Sequence, residues 1–266
     1  MKKIFIAILI SVLMVSCSEK APKALILYYS QTGATQAVAE AIQAQTGADI
    51  ERFDVEEVYD GDFEATIQRC LAERESGTVP TLVPIKSDLS KYDVIFLGYP
   101  IWFGTYAPPV KALLSNVDLK GKKIVPFCTF GSGGLFSSIE DLKGTLAESE
   151  IAEGFGIRNA RIQYTEEELD RFLIENGYKE GSIDPLPDYS EQDEVIPEER
   201  AIYDEATAGY PYPMGEPVSV GSRTVPGGVD FLFIVASKDM QGNPVEGKVY
   251  VARRNGRNPE FTQVVR

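Results

Sequence analysis

The chain has 266 residues, 44% hydrophobic and 25% charged, a composition that supports one or two domains with buried cores. Its 40 acidic residues against 26 basic ones give a net charge of −14, which repels nucleic acid and anionic lipid, so no nucleic-acid partner is expected. There is no histidine for imidazole chemistry, and the three cysteines, Cys17, Cys70 and Cys128, have neither zinc-ligand spacing nor the density of a disulfide framework; no metal is expected.

The first elements concern export. Lys2 and Lys3 precede an apolar run, Ile4 to Val15, broken only by Ser11. The run is too short for a membrane span and reads as a signal peptide over residues 1–16. Ser16-Cys17 at its end resembles the bacterial lipoprotein signal, with Met14 where that motif usually has Leu. The resemblance implies lipid on Cys17, a tether over 17–22, and a lipid-anchored place in the bacterial cell envelope, outside the cytoplasm.

Apolar runs and helical patterns then alternate. Ala24 to Tyr29 is a continuous apolar run, as in a strand buried on both faces. Thr35 to Thr46 has helical spacing and Gly47 as a stop. Asp49 to Val55 alternates as a strand, and Phe63 to Glu75 is a polar helix. Asp93 to Gly98 and Ile124 to Thr129 are further buried strands, with a helix from Pro108 to Asn116 between them. Ser137 to Glu148 is amphipathic, Ile151 to Ile157 is a strand, and Thr165 to Asn176 is a helix opened by Thr165 and Glu168 as a capping box. Five strand–helix units imply a parallel sheet with helices on both faces over residues 23–178.

Residues 179–196 include a proline-rich acidic stretch and read as a linker. Residues 197–266 then form a small α+β domain. It has one helix from Pro197 to Tyr210 and strands near Pro217 to Arg223, Val229 to Ser237, Lys248 to Arg253 and Phe261 to Val265. This domain is expected to fold independently and to add little to ligand binding.

Three loops carry chemistry. The first strand runs into its helix through Ser30, Gln31, Thr32, Gly33, Ala34 and Thr35. Hydroxyls around one glycine at a helix amino terminus suit a phosphate monoester, and without Lys or Arg the loop is no nucleotide-triphosphate cradle. The next buried strand ends in Gly98-Tyr99-Pro100-Ile101-Trp102-Phe103-Gly104, which holds the only tryptophan and offers flat aromatic faces. The third ends in Thr129, Phe130, Gly131, Ser132, Gly133 and Gly134, whose glycines allow close backbone approach. Loops at the carboxyl ends of parallel strands lie where open α/β sheets bind ligands. A planar ligand with one terminal phosphate satisfies all three.

On these residues the region 23–178 resembles the flavodoxin family. The first loop reads as the family's Ser/Thr-x-Thr-Gly-x-Thr pattern, and the second as Gly-x-Pro-x-Trp. The resemblance implies a doubly wound, five-stranded sheet in the order 2-1-3-4-5, bound FMN, and electron transfer or flavin-dependent reduction. It places Ser30 to Thr35 on the phosphate, and Pro100 to Gly104 and Thr129 to Gly133 at the flavin ring. A redox partner protein or a small electron acceptor would be the partner, with the membrane reached through Cys17. The last domain, one helix and four strands, resembles a cystatin. In that family a Gln-x-Val-x-Gly loop enters cysteine proteases; here the stretch is Arg223-Thr224-Val225-Pro226-Gly227, with Arg223 in place of the glutamine. Two alternatives to the flavin role follow: a flavodoxin-fold scaffold without cofactor, and a protease-inhibitory lipoprotein.

The remaining features read as inert. Cys128 belongs to the core and Cys70 to a polar helix without a redox role. Arg253, Arg254 and Arg257 form a solvated hairpin end. Glu166, Glu167 and Glu168 start a helix, where the dipole favours them.

Overall fold

A computed structural model describes residues 22–60, 62–238 and 242–266. The signal segment, Cys17 and the tether up to residue 21 lie outside the described residues. The first part of the chain runs β1 (Ala24–Tyr28), α1 (Ala34–Thr46), β2 (Asp49–Arg52), α2 (Phe63–Ser76), β3 (Val94–Trp102), β4 (Thr105–Tyr106), α3 (Pro108–Asn116), β5 (Lys123–Phe130), α4 (Leu135–Thr145), β6 (Glu150–Ile151), β7 (Phe155–Arg158) and α5 (Thr165–Glu175). The second part runs β8 (Asp193–Glu194), α6 (Pro197–Thr207), β9 (Glu216–Val225), β10 (Gly228–Lys238), β11 (Pro244–Arg254) and β12 (Glu260–Val265).

The first sheet has the order β2-β1-β3-β5-β6, with β7 also on β5, so β6 and β7 are two pieces of one fifth strand. All of these pairings are parallel, and the order is the expected 2-1-3-4-5. Strand alternation divides the core. Leu25, Leu27, Ile95, Leu97 and Ile124 pack with Val110 and Leu113 of α3 and Ile139 and Leu142 of α4. Ile26, Tyr28, Phe96, Val125 and Phe127 pack with Val38 and Ile42 of α1 and Leu169 and Leu173 of α5. Burial on both faces is why these strands read as unbroken apolar runs.

Local details depart from the sequence reading. β2 ends at Arg52, and Val55 makes only an isolated bridge to Leu82. Cys70 is buried rather than set on a polar face, and burial pushes its thiol up to about 11. The capping box at α5 does not form. The Thr165 hydroxyl donates to the Ile162 carbonyl at 2.7 Å, and Glu168 is drawn to Arg161. A buried guanidinium is a stronger partner for a carboxylate than a backbone amide is.

The second sheet is antiparallel, in the order β12-β11-β10-β9-β8. Its strand β8 comes from the stretch read as linker, pairing Asp193 with Val220. Phe231, Phe233 and Val235 bury one face of β10 with Tyr203 and Ala206 of α6; the Tyr203 and Phe233 rings lie 5.1 Å apart, edge to face. Arg223 pairs with Asp230 at 3.1 Å and lies 4.5 Å over the Tyr189 ring, so it is tied into the sheet. Arg254 also reaches Asp230, at 2.7 Å. Of the basic cluster, Arg254 is therefore tied into the sheet, while Arg253 is exposed.

The two sheets meet along a seam of arginines. Arg161, 4% exposed, pairs with Glu168 of α5 and Glu260 of β12. Arg257 reaches Glu167 at 3.3 Å and stacks 4.3 Å over Tyr164. Arg158 lies 3.3 Å over the Phe261 ring. The carboxylates at the start of α5 thus serve the seam as well as the helix dipole.

Arg161→Ala leaves two partly buried carboxylates without their shared cation, so it is expected to cost about 3 kcal/mol. Urea unfolding of the full chain should show that loss, with the second sheet released at lower urea than the first.

Candidate functional site

The carboxyl ends of β1, β3 and β5 place all three sequence-identified loops at one edge. In the first, Gly33 takes the left-handed conformation at φ 92° as the amino-terminal cap of α1. Its amide donates to the Ser30 hydroxyl at 3.2 Å, and its carbonyl accepts from Ala37 at 3.0 Å. Among the described residues, no hydrogen bond takes up the backbone amides of Thr32, Ala34, Thr35 and Gln36. These are the donors that a helix start leaves open, and they favour an anion. The Gln31 amide is turned elsewhere, donating to the Tyr59 carbonyl at 3.0 Å and the Thr66 hydroxyl at 2.9 Å. Thr35 is buried and shares a hydrogen bond of 2.9 Å with Thr129, joining the first loop to the third. The hydroxyl of Thr32 remains exposed.

β3 continues past the sheet edge into a hairpin with β4, in the pairs Ile101 with Tyr106 and Trp102 with Thr105. Phe103 and Gly104 turn it with φ values of 52° and 82°. Positive φ at both central residues suits a two-residue hairpin, yet an aromatic residue there is strained, which marks functional segments more often than ordinary turns. Phe103 is also 54% exposed. Trp102 packs edge-on to Tyr29 and Tyr59, with ring centroids at 6.1 and 5.1 Å. Its indole lines the first cavity together with Phe63, Thr66 and Ile67 of α2.

Two cavities open on either side of this hairpin. The first, about 520 Å³, is lined by Gln31 and Thr32, by Tyr59, Asp60, Asp62, Phe63, Thr66 and Ile67, and by Ile101, Trp102 and Phe103. The second, about 920 Å³, is lined by Ile101, Phe103, Gly104, Gly131, Ser132, Gly133, Gly134, Phe136, Ser137 and Glu140, and by Tyr210, Tyr212, Met214, Val264, Val265 and Arg266. Among the described residues, the large aromatics left exposed are Phe63, Phe103, Phe136 and Tyr212, and all four line these cavities. Such a cluster marks a binding surface. Gln31 and Thr32 of the first loop share the first cavity with the acidic Asp60 and Asp62, and the second cavity carries Glu140.

Of the expected residues, Ser30, Thr129 and Phe130 are buried and shape the loops from beneath, and Pro100 is half-buried. The wall of Tyr59, Asp60, Asp62, Phe63, Thr66 and Ile67 and the contribution of Tyr210, Tyr212, Met214, Val264, Val265 and Arg266 went unforeseen. The exposed aromatics Phe63 and Tyr212 were the one available signal for them. The third loop also needs its glycines: a Cβ on Gly134, at φ 113°, would lie 2.5 Å from Ile101 Cγ2. No cluster of three potential metal ligands occurs among the described residues, and the Cys128 thiol is buried and pushed well above its usual range.

A family model described as Flavodoxin matches residues 23–176. A provisionally named flavoprotein from Bacteroides eggerthii DSM 20697 is 28% identical, with a TM-score of 0.51 over 57% of this chain and 96% of its own. Another from Bacteroides uniformis ATCC 8492 is 22% identical, with a TM-score of 0.51 over 57% of this chain and 99% of its own. No curated protein matches the chain.

Gly98, at the root of the second loop, pairs across strands with buried Phe127. A Cβ there would lie 2.1 Å from the Phe127 ring. Gly98→Ala is expected to cost about 1–3 kcal/mol by overpacking, read as a lower midpoint of thermal unfolding.

Proposed function

The chain belongs to the flavodoxin family, and from that premise we propose that it binds FMN and passes electrons to an acceptor, by electron transfer or flavin-dependent reduction, outside the cytoplasm. The observation that carries the reading is the set of unpaired α1 amides, joined through the Thr35–Thr129 hydrogen bond to the third loop, whose glycines line a cavity with Phe103, Phe136 and Tyr212. FMN, when bound, supplies the electron-accepting ring. The residues that would hold its phosphate are Ser30, Thr32, Gly33, Ala34 and Thr35. Those that would face its ring are Ile101, Phe103 and Gly104 on one side, and Gly131, Ser132 and Gly133 on the other.

The donor set fits that group. Backbone amides and hydroxyls bind a phosphate monoester without a counter-charge, as the dipole of α1 supplies the positive end. Gly33 has open space where a Cβ would stand, so the loop presents its backbone directly. Aromatic edges and glycine backbone suit a planar ring. The net charge of −14 opposes any further negative charge at the site, which favours a low reduction potential.

The apoprotein is expected to bind FMN more tightly than FAD, followed by flavin fluorescence quenching, because one phosphate cradle is present and no second. Thr32→Ala should weaken FMN by about 1–3 kcal/mol, the range for a charged group losing a hydrogen bond. Equal or tighter FAD binding would overturn the choice of FMN, and no flavin binding would overturn the proposal and favour the scaffold alternative.

Export rests on the sequence of residues 1–17. A fatty-acid probe fed to cells should label the full chain and not Cys17→Ser; label kept by the variant counts against a lipid on Cys17.

A further inference from the structure

We infer that the second sheet is a working part of the flavin site: β12 clamps the third loop, and Tyr212 walls the ring cavity. The inference rests on the FMN reading above and gives the second domain a role in it. Three successive residues of the third loop are held by groups at the seam. Arg158 donates to the Gly131 carbonyl at 2.8 Å and to the Phe261 carbonyl of β12 at 2.9 Å, bridging the two parts. The Val264 amide donates to the Ser132 carbonyl at 2.7 Å. Gly133 lies so close to β12 that a Cβ on it would stand 2.1 Å from the Val264 carbonyl oxygen.

These contacts have a physical consequence. β12 is the edge strand of its sheet, bonded to β11 on one side only, and an open edge is a template for further pairing. Here the edge is used on the ligand loop. A loop with glycines at 131, 133 and 134 has many conformations to lose on binding, so fixing it beforehand lowers the entropy cost of the ligand. The wall works on the same cavity. Tyr212 is 62% exposed, rests edge-on to Tyr210 at 5.8 Å, and lines the space shared with Phe103 and Phe136. Tyr210 in turn packs on Phe261 at 5.2 Å, which roots this wall in β12 as well. A planar ring held by the third loop therefore has a face or an edge on a residue of the second domain.

The full chain and two variants decide the matter. Val264→Pro deletes the one amide that reaches Ser132; an edge position tolerates proline, so the sheet should survive. Tyr212→Ala removes an exposed ring and leaves the core alone. FMN and riboflavin affinities are measured by fluorescence quenching, with the shape of the visible absorption band as a second readout and thermal unfolding as a check on folding. Val264→Pro should weaken both flavins roughly tenfold, the factor for one lost hydrogen bond. Tyr212→Ala should weaken both roughly threefold and shift the visible band. The equal loss for riboflavin places the effect at the ring; a loss confined to FMN would place it at the phosphate and overturn the inference. Wild-type affinity and spectrum in Val264→Pro would also overturn it, and if that variant does not fold, Tyr212→Ala decides by the same criterion. Absence of flavin binding in the wild-type chain is a separate result, which sinks the FMN reading itself.

Discussion

Parallel strands in one sheet all finish at the same edge, so the loops after β1, β3 and β5 have to converge. The rest of this molecule depends on that constraint. It sets the open amides of α1 beside the third loop, where the Thr35 and Thr129 hydroxyls meet at 2.9 Å with both side chains buried. It also projects the Phe103–Gly104 hairpin into the space above them. The amides of α1 stay open at this edge, and the hairpin divides the volume beyond into two cavities with different linings.

Each cavity has its character from the element that closes it. The first is closed by the segment before α2, with Asp60 and Asp62 at its lip and Tyr59 buried beside Trp102. Arg69 stabilises that wall from behind, lying 3.7 Å over the Tyr59 ring and donating to the Glu57 and Val58 carbonyls. The second is closed by another domain altogether. Its glycine-rich floor comes from the third loop and its far wall from residues 210–214 and β12. A small sheet that would bury a modest core by itself is thereby joined to the larger one through Arg158, Arg161 and Arg257. Arg161 is the most demanding of these. A guanidinium this deeply buried is tolerated only with both carboxylates in place, and its Nε has no hydrogen-bond partner among the described residues.

Much of this was legible before any coordinates. Apolar runs of five or six residues between helical patterns specify strands buried on both faces, and their alternation with helices leaves few topologies open. The helix from Pro108 to Asn116 falls where its prolines and spacing put it. The hydroxyl-rich first loop and the aromatic second loop were recognisable because their chemistry is local: a glycine, its neighbours and the helix that follows. Boundaries were less legible where tertiary contacts compete. Glu168 could cap α5 in isolation, yet a buried arginine seven residues earlier takes it.

By itself, then, the sequence determined the doubly wound sheet, the place of the three loops and the presence of a second, antiparallel domain, while the strand order was implied by the resemblance to the flavodoxin family. The sheet, the loops and the second domain follow from periodicity and turn chemistry within a few residues. Only the tertiary structure decided where the second domain sits and what it touches. The bonds that place it join residues far apart in the chain, 103 positions between Arg158 and Phe261 and 99 between Arg161 and Glu260. No local pattern announces such a pair. An arginine in the turn after a strand and a glutamate on an edge strand each read as ordinary surface until the fold brings them together and removes the water between them.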